Sequence, residues 1–372
     1  MGRPLTAPVP RPSDPRPSDP RPSDPRPSDP RQSDPRQTAH IRIDHYSAVH
    51  LAAETARSVA RACRLPGSMP DQAAVVASEL ASNLAKHATN GALFLHPLPL
   101  GAGVEILAAD RGPGIPDLSR SLTDGYTTTN TLGTGLGAVR RISTSFTIRS
   151  RTGVGTLACA RLVPPDPRDP PPGQPPAGPD VGAVCLAAEG ERTSGDAYAV
   201  IDTDGVRTAI VVDGLGHGPG AAEPAHAALR AFGRTPDSPL PEILTAVHRA
   251  LRHTRGAALG LLRLHPGRAE YCGVGNVRAL ALGHDSVHHR LTGQPGVAGL
   301  NVRSARVHRI PLEPGSTAVL HTDGIDQRWA HAPSPFLLRL PPTLLPAALA
   351  HGHRLSRDDA TVLATTPPQR LP

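Results

Sequence analysis

Seventeen residues, Pro164–Asp180, constrain most strongly what this chain can fold into, because nine of them are proline. Proline fixes φ and removes a backbone donor, so the segment suits neither a helix interior nor a central strand and favours extended polyproline II. A semi-rigid spacer over residues 164–180 is therefore expected to separate two folding stretches, residues 40–163 and 181–366. Each is long enough to bury a core of its own. A second low-complexity run lies at the N-terminus. Residues 11–35 repeat Arg-Pro-Ser-Asp-Pro four times and then read Arg-Gln-Ser-Asp-Pro. Paired prolines and alternating charges offer no apolar area to bury, so residues 1–39 are expected to form a disordered tail, with a short tail at 367–372. An expanded low-complexity tail explains the repeat more simply than a docking or phosphorylation segment.

Composition removes several function classes. Aromatic residues make up 2% of the chain, too few for the stacking platforms that readers of single-stranded nucleic acid use. The net charge of +7 is spread as +2, +4 and +1 over residues 1–39, 40–163 and 164–372, so no stretch is a basic domain and no nucleic-acid partner is expected. Cys63, Cys159, Cys185 and Cys272 are far apart and contain no C-x-x-C pair, which argues for reduced thiols rather than a zinc site or disulfide framework. No run of 18 apolar residues and no signal peptide are visible, so a cytoplasmic protein without membrane contact is expected.

Hydrophobic periodicity predicts helices over Val49–Arg64, Asp71–His87 (with Asp71 as N-cap) and Leu136–Ile142, and strands over Val104–Ala109, Phe146–Arg149 and Thr156–Ala160. The second stretch reads as eight strands, beginning at Ala183–Ala187 and ending at Ala360–Ala364, interrupted by helices near Gly220–Phe232 and Pro241–Arg252. Both stretches are thus α+β.

Three segments of the first stretch carry chemistry together. Glu79, Asn83 and Lys86 stand at i, i+4 and i+7, one face of a helix. Asp110-Arg-Gly112-Pro-Gly114 follows an apolar strand, and Gly133-Thr-Gly135-Leu-Gly137 opens a helix, with Gly155-Thr156 further on. Glycines at such ends admit a ligand close to the backbone, and helix N-terminal amides suit phosphate. Any one of these segments alone is an ordinary turn or a solvated helix face; their order is far more specific.

In the second stretch aspartates recur at strand ends beside glycine. Asp196 follows Ser194-Gly195, Asp213 precedes Gly214, Asp323 precedes Gly324, and Asp358 opens Asp-Asp-Ala-Thr before the last strand. A single Asp-Gly is usually a turn. Four at strand termini would repel unless hard cations neutralised them, and oxygen-only ligation selects Mg²⁺ or Mn²⁺.

The first set of motifs resembles the GHKL ATP-binding fold, most closely the RsbT-type anti-sigma serine/threonine switch kinases, over about residues 40–162. That resemblance implies a GHKL-type α/β sandwich with helices on a mixed sheet. It implies ATP as substrate, Asn83 as ligand of a phosphate-bridging Mg²⁺, and Asp110 as acceptor from the adenine amino group, supported by Thr156. It further implies Gly112, Gly114, Gly133, Gly135 and Gly137 around the nucleotide, Lys86 near phosphate, and Glu79 as general base toward a protein hydroxyl. His50 is expected to be a surface or packing residue. The second set resembles the PPM-type protein phosphatases of the SpoIIE and RsbX branch, over about residues 181–366. It implies an αββα sandwich and two Mn²⁺ or Mg²⁺ ions held by Asp196, Asp213, Asp323, Asp358 and the Gly214 carbonyl. Two departures stand out. Ala199 occupies the place of a second carboxylate in the first motif, and the usual phosphate-gripping arginine has no secure counterpart, Arg192 being the nearest. Asp359 is less certain as a ligand, His217 is expected to be structural, and His288-His289, His351 and His353 are expected in exposed loops.

Together the resemblances imply a bifunctional partner-switching regulator. It would phosphorylate a STAS-type antagonist (anti-anti-sigma) protein and dephosphorylate a phosphoserine or phosphothreonine protein. The output would be control of an alternative sigma factor or stress complex, with a sigma factor or another phosphatase as further partners. The alternative is an ATP-gated module that sequesters a partner without phosphorylating it, joined to a phosphatase.

Overall fold

The computed structural model describes residues 1–2, 36–118, 135–165 and 181–368. The chain divides into the units Met1–Gln32 and Ser33–Pro372, and every element below lies in the second. The repeat run and residues 166–180 of the proline-rich spacer lie outside the described residues.

The first half holds β1 (Ala39–Ile43), helices α1 (Ala48–Ala62) and α2 (Met69–His87), β2 (Gly91–Pro97), β3 (Val104–Ala109), α3 (Gly135–Ile142), β4 (Ser145–Arg151) and β5 (Gly155–Leu162). Its sheet runs β1-β2-β3-β5-β4, and every pairing in it is antiparallel. The mixed sheet implied by the family resemblance is therefore corrected. Register and strand direction are properties of pairing, which a single strand's pattern does not carry.

One face of this sheet carries the helices. α1 buries Ala52, Ala56 and Ala60 in one stripe, and α2 buries Ala73, Val76, Ala77, Leu80, Ala81 and Leu84 against it. Small side chains let the two helices approach closely. The start of α2 differs from expectation: Ser68 is the N-cap, Pro70 sits in the first turn, and Asp71 lies inside the helix, where its carboxylate pairs with Arg57 at 2.9 Å. Proline suits that turn because its missing N–H would be unpaired anyway, and an acidic residue there favours the helix dipole.

The second half contains β6 (Val181–Leu186), β7 (Asp196–Thr203), β8 (Val206–Gly214), α4 (Pro219–Phe232), α5 (Leu240–Ala250), β9 (Ala257–His265), β10 (Arg268–Val274), β11 (Arg278–Leu282), β12 (Val287–Thr292), β13 (His308–Pro311), β14 (Thr317–His321), α6 (Pro335–Leu338), α7 (Leu345–His353) and β15 (Ala360–Thr365). Two antiparallel sheets form, β13-β10-β9-β8-β7 and β12-β11-β14-β15-β6. Tyr198, Val211, Leu262, Ala183 and Leu363 fill the space between them. α4 and α5 cover the first sheet through Phe232, Ile243 and Val247, and α7 covers the second through Leu345, Ala347 and Leu349. This is an αββα order of layers.

The spacer does not leave two independent bodies. The face of the first-half sheet opposite α1 and α2, carrying Phe94, Leu107, Leu157 and Cys159, packs into the same core as α7 and β6, β14 and β15. With both faces covered, β3 is buried at all six positions, which explains its continuous apolar run. The expected tail also ends early. Thr38 is buried, its backbone N–H donates to the Cys185 carbonyl at 2.8 Å, and its Oγ1 accepts from Cys185 N at 3.0 Å. All four cysteines are free. No helix among the described residues is long and apolar enough to cross a membrane.

Candidate functional sites

In the first half, β3 delivers Asp110 to the end of the sheet beside β5. Asp110 Oδ1 accepts from Gly112 N at 2.7 Å and from Thr156 N at 3.3 Å, and Asp110 N donates to the Thr156 carbonyl at 3.0 Å. Burial pushes the Asp110 carboxyl above its ordinary value, opposed by the two amides. The glycines here have steric reasons. A Cβ on Gly114, whose φ is +76°, would lie 2.5 Å from the Arg151 carbonyl oxygen; one on Gly155 would lie 2.1 Å from that of Asp110. Ser150, which no sequence pattern singled out, joins the group: its Oγ accepts from Ile115 N at 2.7 Å and lies 2.9 Å from Thr156 Oγ1.

Asn83 stands on α2 beside the start of α3, where a Cβ on Gly135 would lie 3.7 Å from Asn83 Oδ1. Gly137 is buried within α3, and Gly133 lies outside the described residues. Glu79, one turn before Asn83, is half-buried and makes no hydrogen bond or ion pair to a described residue. Lys86 is exposed. The structure thus gathers Asp110, Gly112, Gly114 and Thr156 into one cluster and Asn83 with Gly135 into another. The end of α2 joins the two: a Cβ on Gly112 would lie 3.2 Å from the His87 carbonyl oxygen.

In the second half, β7 and β8 pair so that Asp196 and Asp213 are directly opposite. Asp196 is 3% exposed and accepts from Thr322 Oγ1 at 2.8 Å. Asn276, in the β10–β11 turn, donates to Asp213 Oδ2 at 3.0 Å and to Asp323 Oδ2 at 2.7 Å, so one amide tethers two carboxylates. Burial and the Asp323 charge push Asp213 up to about 7. Burial and Asp213 push Asp196 up as well, and burial and Asp323 raise Asp358. Asp359 has another task. Its two oxygens accept from Ala188 N and Gly195 N, each at 2.7 Å, so it holds the loop while its charge also raises Asp196. Gly324 has no room for a side chain, since a Cβ would lie 1.9 Å from the Asp359 carbonyl oxygen. The Gly214 backbone is pressed on α4, with a Cβ position 2.1 Å from the Ala221 carbonyl oxygen.

Among the described residues no three His, Cys, Asp or Glu side chains stand close enough as arranged to hold a metal ion. The donor set nevertheless fits a hard divalent cation. It consists of oxygen only, and among the described residues no Lys or Arg pairs with Asp196, Asp213, Asp323 or Asp358; only the neutral Asn276 and Thr322 side chains donate to them.

Asn276, which joins Asp213 to Asp323, is not singled out by the sequence, because a loop asparagine carries no local signal. Nor is Arg255. Its guanidinium lies over the Gly216–Gly220 turn that leaves Asp213: a Cβ on Gly220 would stand 3.0 Å from Arg255 Cζ, and one on Gly216 3.6 Å from Nη1. Arg192, the arginine proposed from sequence, is exposed and meets Gln37 through its backbone carbonyl. His217 pairs with Glu191 at 2.9 Å. His288 and His289 lie in β12, not a loop, and His351 and His353 end α7, where His351 Nε2 stands 2.7 Å from the Asn90 carbonyl oxygen.

The family model of Stage II sporulation protein E (SpoIIE) matches residues 203–367. Serine/threonine-protein kinase RsbT of Bacillus subtilis (strain 168) is 38% identical over 90 residues, 23% of this chain and 68% of RsbT. Among solved structures, a chain of the bacterial stressosome, a modular system adapted to control secondary messenger signaling, is 30% identical with a TM-score of 0.46, covering 50% of this chain and 97% of its own. RsbX in complex with magnesium is 24% identical with a TM-score of 0.42, covering 49% and 92%. The chain belongs to the family of the serine/threonine-protein kinase RsbT, and its residues 203–367 match the SpoIIE family.

Proposed function

We propose that the chain is a bifunctional partner-switching regulator. Its first half transfers a phosphoryl group from ATP to a serine or threonine of a STAS-type antagonist protein, and its second half removes phosphate from such a protein. The convergence of Asp196, Asp213, Asp323 and Asp358 at the ends of β7, β8 and β14 and before β15 carries the phosphatase reading. Bound there, a pair of Mg²⁺ or Mn²⁺ ions would supply Lewis-acid activation of water and charge neutralisation at the phosphoryl group. Asp196, Asp213, Asp323 and Asp358 are the residues that would hold them, with the Gly214 carbonyl as a further donor. Asn276 sets the spacing of Asp213 and Asp323, and Thr322 orients Asp196. Arg255 is positioned to grip the substrate phosphate at the turn beside the cluster.

In the first half, Asp110 offers an acceptor to an adenine amino group and Thr156 supports it. Asn83, beside Gly135, would hold a Mg²⁺ ion that supplies charge neutralisation at the phosphate end. Lys86, Gly112, Gly114, Gly133 and Gly137 are proposed around the nucleotide. Glu79 takes the proton from the attacking hydroxyl, and its lack of a partner among the described residues favours this over a purely ATP-gated binding module. A two-step incubation tests the reading. With a STAS protein, [γ-³²P]ATP and Mg²⁺, label is expected on the STAS protein; on removal of ATP and addition of Mn²⁺, it is expected to be released as inorganic phosphate. ATP-dependent capture of the partner with no phosphoprotein formed would favour the binding module instead.

A further inference from the structure

A cleft that shares only Ser150 with the Asp110 cluster, and no residue with the aspartate cluster, lies on the seam between the two halves. It is about 430 Å³ in volume and is lined by Arg149, Ser150 and Arg151 of β4 and by Pro335, Phe336 and Arg339 at α6. Two features make it unusual. First, β4 is an edge strand: it pairs with β5 on one side, and on the other no strand pairs with it among the described residues. An open edge is a row of backbone donors and acceptors ready to accept another strand. Second, the cleft is cationic without compensation. No carboxylate of a described residue pairs with Arg149, Arg151 or Arg339, and the one hydrogen bond from these side chains goes from Arg149 Nη1 to the adjacent Ile148 carbonyl at 2.9 Å.

Side-chain alternation joins the two features. Ile148 is buried on the helix-bearing face of the sheet, so Arg149 and Arg151 project from the opposite face, toward α6 and Arg339. A strand added to β4 would alternate in the same way and present every second side chain to the three guanidinium groups. Acidic side chains at those positions would form charge-assisted pairs there, and Phe336, half-buried, offers an apolar wall beside them.

We propose that the free edge of β4 is a docking site for an extended acidic segment of a partner protein, bound by strand addition, with its carboxylates held by Arg149, Arg151 and Arg339. Backbone pairing supplies the affinity, and the arginines select acidic sequence and fix register. This surface is independent of the two proposed catalytic activities.

The probe is a fluorescein-labelled peptide of alternating glutamate and threonine, matched in length to β4, titrated with the full chain and read by polarisation. A lysine–threonine peptide serves as the control of opposite charge. Two further peptides of the acidic sequence carry N-methyl groups on alternate residues, one in each register, which blocks backbone pairing without changing charge. The acidic peptide is expected to bind, the lysine peptide not to bind, and at least one methylated peptide to bind about tenfold or more weakly. The double variant R149E/R151E and the single variant R339E, checked for an unchanged melting temperature, are each expected to weaken binding about tenfold or more. The methylated peptides test the unaltered protein, so the proposal remains falsifiable if a variant fails to fold. Any of three results would overturn it: no binding of the acidic peptide, binding of both methylated forms as tight as that of the unmethylated peptide, or complete displacement by millimolar inorganic phosphate, which would mark a small-anion site.

Discussion

Asp196 and Asp213 face each other across the β7–β8 pair, one of them almost fully buried. Like charges directly opposite on antiparallel strands destabilise the sheet, and here burial adds to the cost. Replacing Asp213 by Asn removes one charge and keeps the shape. The metal-free protein is therefore expected to gain about 0.5–1 kcal/mol, while the rise in melting temperature on adding Mn²⁺ should be lost. Thermal melts with chelator and with Mn²⁺ check both. A variant that is less stable without metal, yet still responds to Mn²⁺, would contradict the assignment.

We propose Arg255 ahead of Arg192 as the phosphate-gripping residue, since its guanidinium lies over the turn following Asp213. A charge-assisted hydrogen bond contributes about 1.5–3 kcal/mol, so Arg255→Ala is expected to raise KM for a phosphoprotein about 10- to 100-fold with a smaller change in kcat. Arg192→Ala should leave KM unchanged. The reverse pattern would restore Arg192.

Glu79→Gln should reduce phosphoryl transfer to a STAS protein by about 10²-fold or more, the range of general-base contributions, while leaving ATP affinity intact. Transfer rate and nucleotide titration on the same preparation separate the two. An unchanged rate would remove Glu79 from the mechanism.

Glu105, fully buried, accepts from Arg161 Nε at 2.5 Å and lies 3.1 Å from His96 Nε2; Arg161 Nη2 also donates to the Val181 carbonyl at 2.5 Å, tying β3 and β5 to the first strand of the second half. Burial works to raise the Glu105 carboxyl, but Arg161 and His96 outweigh it and hold it below its ordinary 4.5. A depressed carboxyl pKa contributes stability that is present above the unfolded value and is lost as pH falls through the folded value. Arg161→Met leaves the carboxylate unpaired, so it should cost about 3–5 kcal/mol at neutral pH. The variant's deficit relative to wild type should shrink as pH falls and the Glu105 carboxyl, raised by burial once Arg161 no longer holds it down, takes up a proton. Urea melts at neutral and acid pH measure this; a deficit independent of pH would mean that packing rather than charge is lost.

Much of the scaffold was legible in the residues. Val104–Ala109 reads as an apolar strand and Val49–Arg64 as a helix; the structure covers the strand on both faces and buries Ala52, Ala56 and Ala60 of the helix. Elements whose signals were mixed escaped notice. β12 alternates Val287, His289 and Leu291 with His288, Arg290 and Thr292 on an edge, so its histidines read as loop residues. α7 carries Pro346 in its first turn and Gly352 near its end, and its all-round apolar character comes from lying between two sheets. For the sites, the aspartates were visible as repeated strand-end motifs. Asn276 and Arg255 were not, because each reaches the cluster only through folding of a distant turn.

Calorimetric titration of Mn²⁺ into the full chain, alongside Asp213→Ala, tests most directly whether the second half holds its cations on these carboxylates. The account predicts saturable binding of a pair of ions to the wild type and loss of that binding in the variant. Absence of binding to the wild type, or equal binding by both proteins, would contradict it.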